Sequence, residues 1–206
     1  MLAVIDTSSP YSGIALCHAG TLLGEQQWLC GRRHSEQVLN QLDALCTLVG
    51  VKPADITAIA VTLGPGSWSG IRVGVSIAKG IAIANQARVV GVGSLDQLAW
   101  SHRGHRAVTA CIALGRGRIA VADYPSTWEA GHISAHNYAS SDVVLNHPLV
   151  CDDATWQQLG TPAQRFASDV RPLDVAQIAE VLLQRPPASD PIIEPLYLGD
   201  PVSRTP

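Results

Sequence analysis

The chain has 206 residues, 47% of them hydrophobic, with 14 Lys and Arg against 17 Asp and Glu and a formal net charge of −3. A chain of this length holds one large domain or two small ones and buries about 70% of its unfolded surface, so its core needs neither disulfides nor metal. The near-neutral balance excludes a strongly basic nucleic-acid-binding protein, and the high hydrophobicity excludes a disordered chain.

The first residues, MLAVIDTSSP, have no basic leader, and Asp6 interrupts the apolar run, so a signal peptide is not expected. LAVID (2–6) reads as a buried strand. YSGIALCHA (11–19) and TLLGEQQWL (21–29) flank a hairpin turn at His18-Ala19-Gly20-Thr21. Ser35 opens a helix, with Glu36 suited to its dipole. Val38, Leu42, Leu45 and Val49 form that helix's apolar stripe, widened by Leu39 and Cys46. A strand over 56–61, a helix over 70–86 and a strand over 87–92 follow. The order predicts an antiparallel hairpin unit feeding a parallel α/β sheet. A polar connector, SHRGHR (101–106), separates lobes at 1–100 and 101–206. In the second lobe, 107–114 and 118–124 read as a hairpin turning at Gly115–Gly117, and 174–184 reads as a helix. Residues 126–172 give no clear pattern.

The helix over 70–86 is apolar nearly all round, with Arg72, Ser76 and Lys79 as its polar edge before Asn85 and Gln86 at its end, and no stretch is long and uncharged enough to span a bilayer. Gly70, Gly74, Ala78 and Ala82 make a smooth ridge on which another backbone can come close. Two readings stand: a surface for a partner subunit, or a core helix of the monomer. The preceding Gly64-Pro65-Gly66-Ser67-Trp68-Ser69-Gly70 matches no known phosphate-loop spacing. It is either an anion-binding helix start or a tight turn capped by Ser67 or Ser69. Asp6-Thr7-Ser8 could hold a magnesium-nucleotide phosphate or form a backbone-bonded turn.

His102 and His105, and His132 and His136, lack both an HExxH arrangement and nearby cysteine pairs, so no metal is expected. His34 suits a cap or a surface contact. Cys17, Cys30, Cys46, Cys111 and Cys151 are scattered, as in a reducing cytosol, and the expected location is cytoplasmic. A GxSxG elbow is missing, which leaves a hydrolase triad without an anchor.

IDTS at the first strand, RRHSE at the first helix, GPGSWSGIRVGVSIAKG and VGVGSLDQLA together resemble the bacterial TsaB-type family. These glycoprotease-like proteins are accessory subunits of the machinery that forms tRNA threonylcarbamoyladenosine, and paralogues of its catalytic TsaD-type subunit. The likeness covers residues 1 to about 100. Farther on the chain departs. Ala113-Leu114-Gly115-Arg116-Gly117-Arg118 replaces the family's Asp-Ala-Arg stretch, and Pro195-Leu196-Tyr197-Leu198 resembles its PxYLR ending, with Gly199 for Arg.

The resemblance implies an α/β actin/hexokinase/Hsp70-like ATPase (ASKHA) fold: two lobes of mixed sheet flanked by helices, the second reduced. It implies a non-catalytic scaffold that pairs with the TsaD-type subunit, to which a TsaE-type ATPase adds. That complex moves a threonylcarbamoyl group to N6 of the adenosine beside the anticodon. The TsaD-type subunit binds metal through an HxxxH helix; here His34 is followed at the fourth position by Val38. The expected interface comprises His34, Glu36 and Leu39 on the first helix and Ser67, Gly70, Val73, Gly74, Ile77 and Ala78 on the second. The same surface would form a homodimer when the chain is alone, tRNA would be reached only through the complex, and no membrane is involved. Asp6 and Ser8 would be a vestigial nucleotide loop, with no cofactor of the chain's own and ATP or ADP at the assembled interface. Two alternatives are a self-standing ATP-dependent phosphotransferase using Asp6 and the GPGS loop, and a metallopeptidase.

Overall fold

LAVID forms strand β1 (Leu2–Asp6), and every residue in it is buried. Its side chains alternate between two cores: Leu2 and Val4 face one, Ala3 and Ile5 the other. A strand apolar on both faces belongs at the centre of a covered sheet. The computed structural model that shows this describes residues 1–31, 33–131, 134–160, 164–167, 170–186 and 193–198.

β1 pairs antiparallel with β2 (Tyr11–His18), which is joined to β3 (Thr21–Leu29) through Ala19 and Gly20 at φ 48° and 77°. Positive φ at both turn positions matches the twist of a two-residue hairpin. β4 (Ala58–Gly64) then lies parallel to β1, and β5 (Arg88–Gly93) parallel to β4, giving the order β3-β2-β1-β4-β5. The crossovers are helices α1 (His34–Val49) and α2 (Trp68–Asn85). They cover one face of this sheet with Val38, Leu42, Leu45 and Cys46 from α1 and Ile71, Val75 and Ala78 from α2.

The second sheet repeats that plan although the sequence shows no repeat. β6 (Val108–Gly115), β7 (Arg118–Tyr124) and β8 (His136–Ala139) form an antiparallel meander. β9 (Leu149–Cys151) joins β6 in parallel and β10 (Arg165–Ala167) joins β9, in the order β10-β9-β6-β7-β8. β6 therefore plays the part of β1. Where α1 stands in the first half, the second has only a single turn at Ser140–Asp142, before α4 (Asp153–Leu159) covers the outer face. Two sheets of this matched topology, the second trimmed, form an actin/hexokinase-like α/β fold.

Between the sheets lie α3 (Ser94–Trp100) and α5 (Pro172–Leu183). Their Leu95, Leu98, Val175 and Ile178 share one core with Val4 and Val92 of the first sheet and Val108 and Tyr124 of the second. α5 closes the second half in sequence but packs on the strands of the first sheet. Arg171, just before it, donates from Nε to Glu25 of β3 at 2.8 Å.

The regions without clear pattern contain β8, β9, α4 and β10, the strands being only three or four residues long. So few residues cannot establish an alternation. α1 begins at His34 with Arg33 as N-cap and no side-chain cap, so Ser35 does not open it as expected. Of the interface expected on α1, Leu39 stands off the buried stripe, 49% exposed. The His132–His136 pair and Gly199 fall partly or wholly outside the described residues.

Candidate functional site

The loop from β4 into α2 is stitched to the end of β1. Ser67 N–H donates to Ser8 O at 2.6 Å, and Ser67 Oγ accepts from Gly70 N at 3.3 Å, capping α2. Thr7, fully buried, donates from Oγ1 to Gly70 O at 2.7 Å. Gly70 and Gly74 are what let the helix come this close. A Cβ on Gly70 would lie 2.1 Å from Thr7 O, and one on Gly74 2.3 Å from Thr7 Oγ1. Both distances are far inside van der Waals contact, so only glycine fits.

This corrects the interface expected from the sequence. The ridge of Gly70, Gly74 and Ala78 faces the chain's own sheet, Ala78 with no exposure at all. Of the two readings of the helix, the ridge fits the monomer core. Small residues at four-residue spacing report a close approach, and here the neighbour is Thr7, directly after β1.

His34 is likewise internal, 3% exposed, with Nδ1 2.8 Å from Ser12 Oγ. Burial pushes its pKa below the usual 6.5, against the raising effects of a backbone hydrogen bond with Gly31 and of the Asp6 charge. A neutral imidazole held this way is a core bridge between α1 and β2, not a surface contact. Among the described residues, no three His, Cys, Asp or Glu side chains gather as a metal-binding group.

Asp6 points to the space between the sheets. Its Oδ1 accepts from Ser8 N at 2.9 Å and from Ser8 Oγ at 2.7 Å, and its Oδ2 accepts from Gln97 Nε2 at 3.1 Å. Asp6 and Ser8 are each 8% exposed. The turn thus satisfies itself, as Asx-type turns do, and joins α3 to β1. Nearby, a cavity of about 130 Å³ opens between Pro65, Gly66, Trp68 and Ile71, the β6–β7 hairpin residues Leu114 and Arg118, and the C-terminal Pro195–Leu198. Leu196 N–H ties that last segment to Leu63 O at 2.8 Å. Pockets for drug-sized ligands run to about 300 Å³ or more. Both Asp6 carboxylate oxygens already accept hydrogen bonds from within the chain, and neither Asp6 nor Ser8 lines that cavity.

The outward side of α1 and α2 has a different character. Glu36 and Leu39 are exposed on α1, where Leu48 is 81% exposed. On α2, Trp68 is 61% and Ile83 82% exposed, while Val73 and Ile77 are half-buried and Ser67 is partly covered as the cap. Arg72 lies over the Trp68 ring, 4.4 Å from its centroid. Leu48, Trp68 and Ile83 were not expected here, although their position off the buried stripe was readable from helical spacing. Among the described residues, no helix is long and apolar enough to cross a membrane.

A family model described as tRNA N6-adenosine threonylcarbamoyltransferase, TsaD, matches residues 28–141. The "tRNA threonylcarbamoyladenosine biosynthesis protein TsaB" of Escherichia coli K12 is 33% identical over 60% of this chain and 54% of its own length. The protein of the same name from Bacillus subtilis 168 is 33% identical over 50% of this chain and 44% of its own. The chain thus spans about half the length of the curated relatives it matches. A Pseudomonas aeruginosa structure described as similar to peptidase YeaZ superposes with a TM-score of 0.80 at 22% identity, over 96% of this chain and 99% of that one. The GPGS loop locked on β1, the duplicated sheets and these matches agree: the chain belongs to the TsaD family, as a TsaB-type member.

Proposed function

We propose that the chain works in tRNA threonylcarbamoyladenosine formation as a non-catalytic scaffold, pairing with a TsaD-type catalytic paralogue in the cytoplasm. The observation that carries this is a division within the first lobe. Its strand-end loop, where the fold family does chemistry, is filled by the chain's own hydrogen bonds. Its outer helices leave Leu39, Leu48, Trp68 and Ile83 in solvent. Apolar side chains of this size on a helix pair suit a subunit contact.

In this reading Leu39, Val73 and Ile77 remain interface residues, with Glu36 at the rim, while Gly70, Gly74, Ala78 and His34 shape the helices from behind. Binding would favour the competent state of the catalytic subunit, which requires contacts that differ between its states. A TsaE-type ATPase joins the pair, tRNA is modified by the complex, and ATP or ADP belongs to the assembly. Alone, the chain would use the same face to form a homodimer.

The test is size-exclusion chromatography with light scattering on the chain alone and mixed with a purified TsaD-type subunit, followed by assay of tRNA modification. A 1:1 heterodimer with higher modification activity than the catalytic subunit alone is expected. Failure to form a complex, or nucleotide hydrolysis by the isolated chain, would refute the scaffold reading.

A further inference from the structure

The segment that leads from α3 into the second sheet carries a one-sided charge. Residues 97–122 contain Arg103, Arg106, Arg116, Arg118, His102 and His105 and no Asp or Glu, in a chain of net charge −3. Four of these cations and imidazoles lie in the turn over 101–106. The turn is held in shape by its backbone: Arg103 N–H donates to Trp100 O at 3.1 Å, Arg106 N–H to His102 O at 3.2 Å, and Gly104 N–H to Ser126 O at 2.8 Å.

Aromatic rings orient both arginines. The Arg103 guanidinium sits 5.2 Å from the Trp100 ring centroid, and its Nε donates to Trp128 O at 2.8 Å. Trp100 in turn meets Trp128 edge-on at 5.8 Å. The Arg106 guanidinium sits 4.7 Å from the Phe166 centroid, and the His102 ring lies 5.0 Å from the same Phe166. Stacking occupies the face of a guanidinium and leaves its N–H edge free to donate. Both arginines are exposed, and among the described residues no carboxylate pairs with them. His102 feels the same imbalance: after burial, the neighbours that hold its pKa down are Arg106 and His105.

We propose that the turn over 101–106 is a docking surface for the phosphate backbone of RNA, with Arg103 and Arg106 each donating to a phosphate. The planar fork of arginine matches a phosphate in two-point contact, and rings that fix it beforehand reduce the ordering cost. RNA is favoured over an acidic protein segment because this deepens the function proposed above, on which it rests. The turn follows α3, on the opposite face of the first sheet from α1 and α2, so RNA and the catalytic paralogue can be held together. Net charge −3 argues against RNA binding spread over the whole chain; it does not argue against one local patch.

The experiment titrates fluorescein-labelled unmodified tRNA with the heterodimer, and separately with this chain alone, between about 50 and about 200 mM salt. Arg103→Glu/Arg106→Glu is expected to weaken binding tenfold or more at low salt and to flatten the log–log salt slope by about 2, one for each phosphate that is no longer neutralised. Arg103→Gln/Arg106→Gln, gentler on the fold, should flatten the slope equally, with unchanged far-UV circular dichroism. Arg116→Glu, at the β6–β7 turn, should leave binding as it is. Unchanged affinity and slope in both double variants would overturn the proposal, as would an equal loss from Arg116→Glu. Competition by polyglutamate as effective as competition by RNA at equal charge would assign the patch to an acidic protein and also overturn it. Failure of the heterodimer to form, read by chromatography, counts against the scaffold alone; the titration of the isolated chain then decides the RNA contact.

Discussion

The two sides of α2 look alike in the sequence and do opposite things. The inner side carries Gly70, Gly74 and Ala78, all buried, and lies so close to Thr7, just past β1, that a Cβ on either glycine would collide with it. The outer side carries Trp68 and Ile83 in solvent, with Val73 and Ile77 half-covered. A run of small residues on a helix reports a close backbone neighbour, without saying whose backbone it is. Exposed large apolar residues report a face whose neighbour is elsewhere. The partner-binding side of this helix is therefore expected to be the one with the larger residues.

The sharpest way to break this distinction is Gly74→Leu. The added side chain would collide with Thr7, and overpacking of this kind costs about 3 kcal/mol or more, a fall in Tm on the order of 10 °C for a chain this size. Thermal unfolding of the isolated chain reads this directly; a variant with normal Tm that no longer binds the partner would put the ridge back at the interface.

Asp6→Ala tests whether the strand-end loop is structural. Removing the carboxylate leaves the Ser8 N–H and the Ser8 hydroxyl without their acceptor and costs the Gln97 amide one of its two. A loss of roughly 1–3 kcal/mol is expected by denaturant unfolding, the cost of a buried group left unsatisfied. Nucleotide titration of the wild-type chain should show no binding for the variant to lose.

The smallest effect sharpens the role of His34. Its pKa lies below 6.5 in the folded chain and near 6.5 when unfolded, so the unfolded state takes up a proton first as pH falls. Stability is then fully present above pH 6.5 and declines below it, with His102, also held low, contributing in the same sense. His34→Asn should flatten part of that decline in unfolding experiments run at several pH values. An unchanged slope would show that the imidazole is not held neutral.

The first half was legible because its elements are long, its strands running five to nine residues between clear turn signals. The hairpin at Ala19–Gly20, the stripe of α1 and the βαβ order around β4 all come from local periodicity and turn chemistry. The second half was not, since β8, β9 and β10 are too short to carry a period. The crossing of α5 onto the first sheet is a long-range fact with no local signal. At the candidate site, Ser67 as helix cap was readable from its position. The inward turn of Gly70 and Gly74 was not: helix spacing places residues on one face, and only the neighbouring Thr7 says what that face meets.

The most direct test of the account is light scattering on Trp68→Glu/Ile83→Glu, the two exposed apolar residues of α2, mixed with the TsaD-type subunit. The outer face of α2 is predicted to carry the contact, so the wild-type chain should form a 1:1 complex and the variant should elute as free subunits, with unchanged circular dichroism and Tm. A variant that folds normally and still assembles 1:1 would contradict the claim that this face binds the catalytic partner.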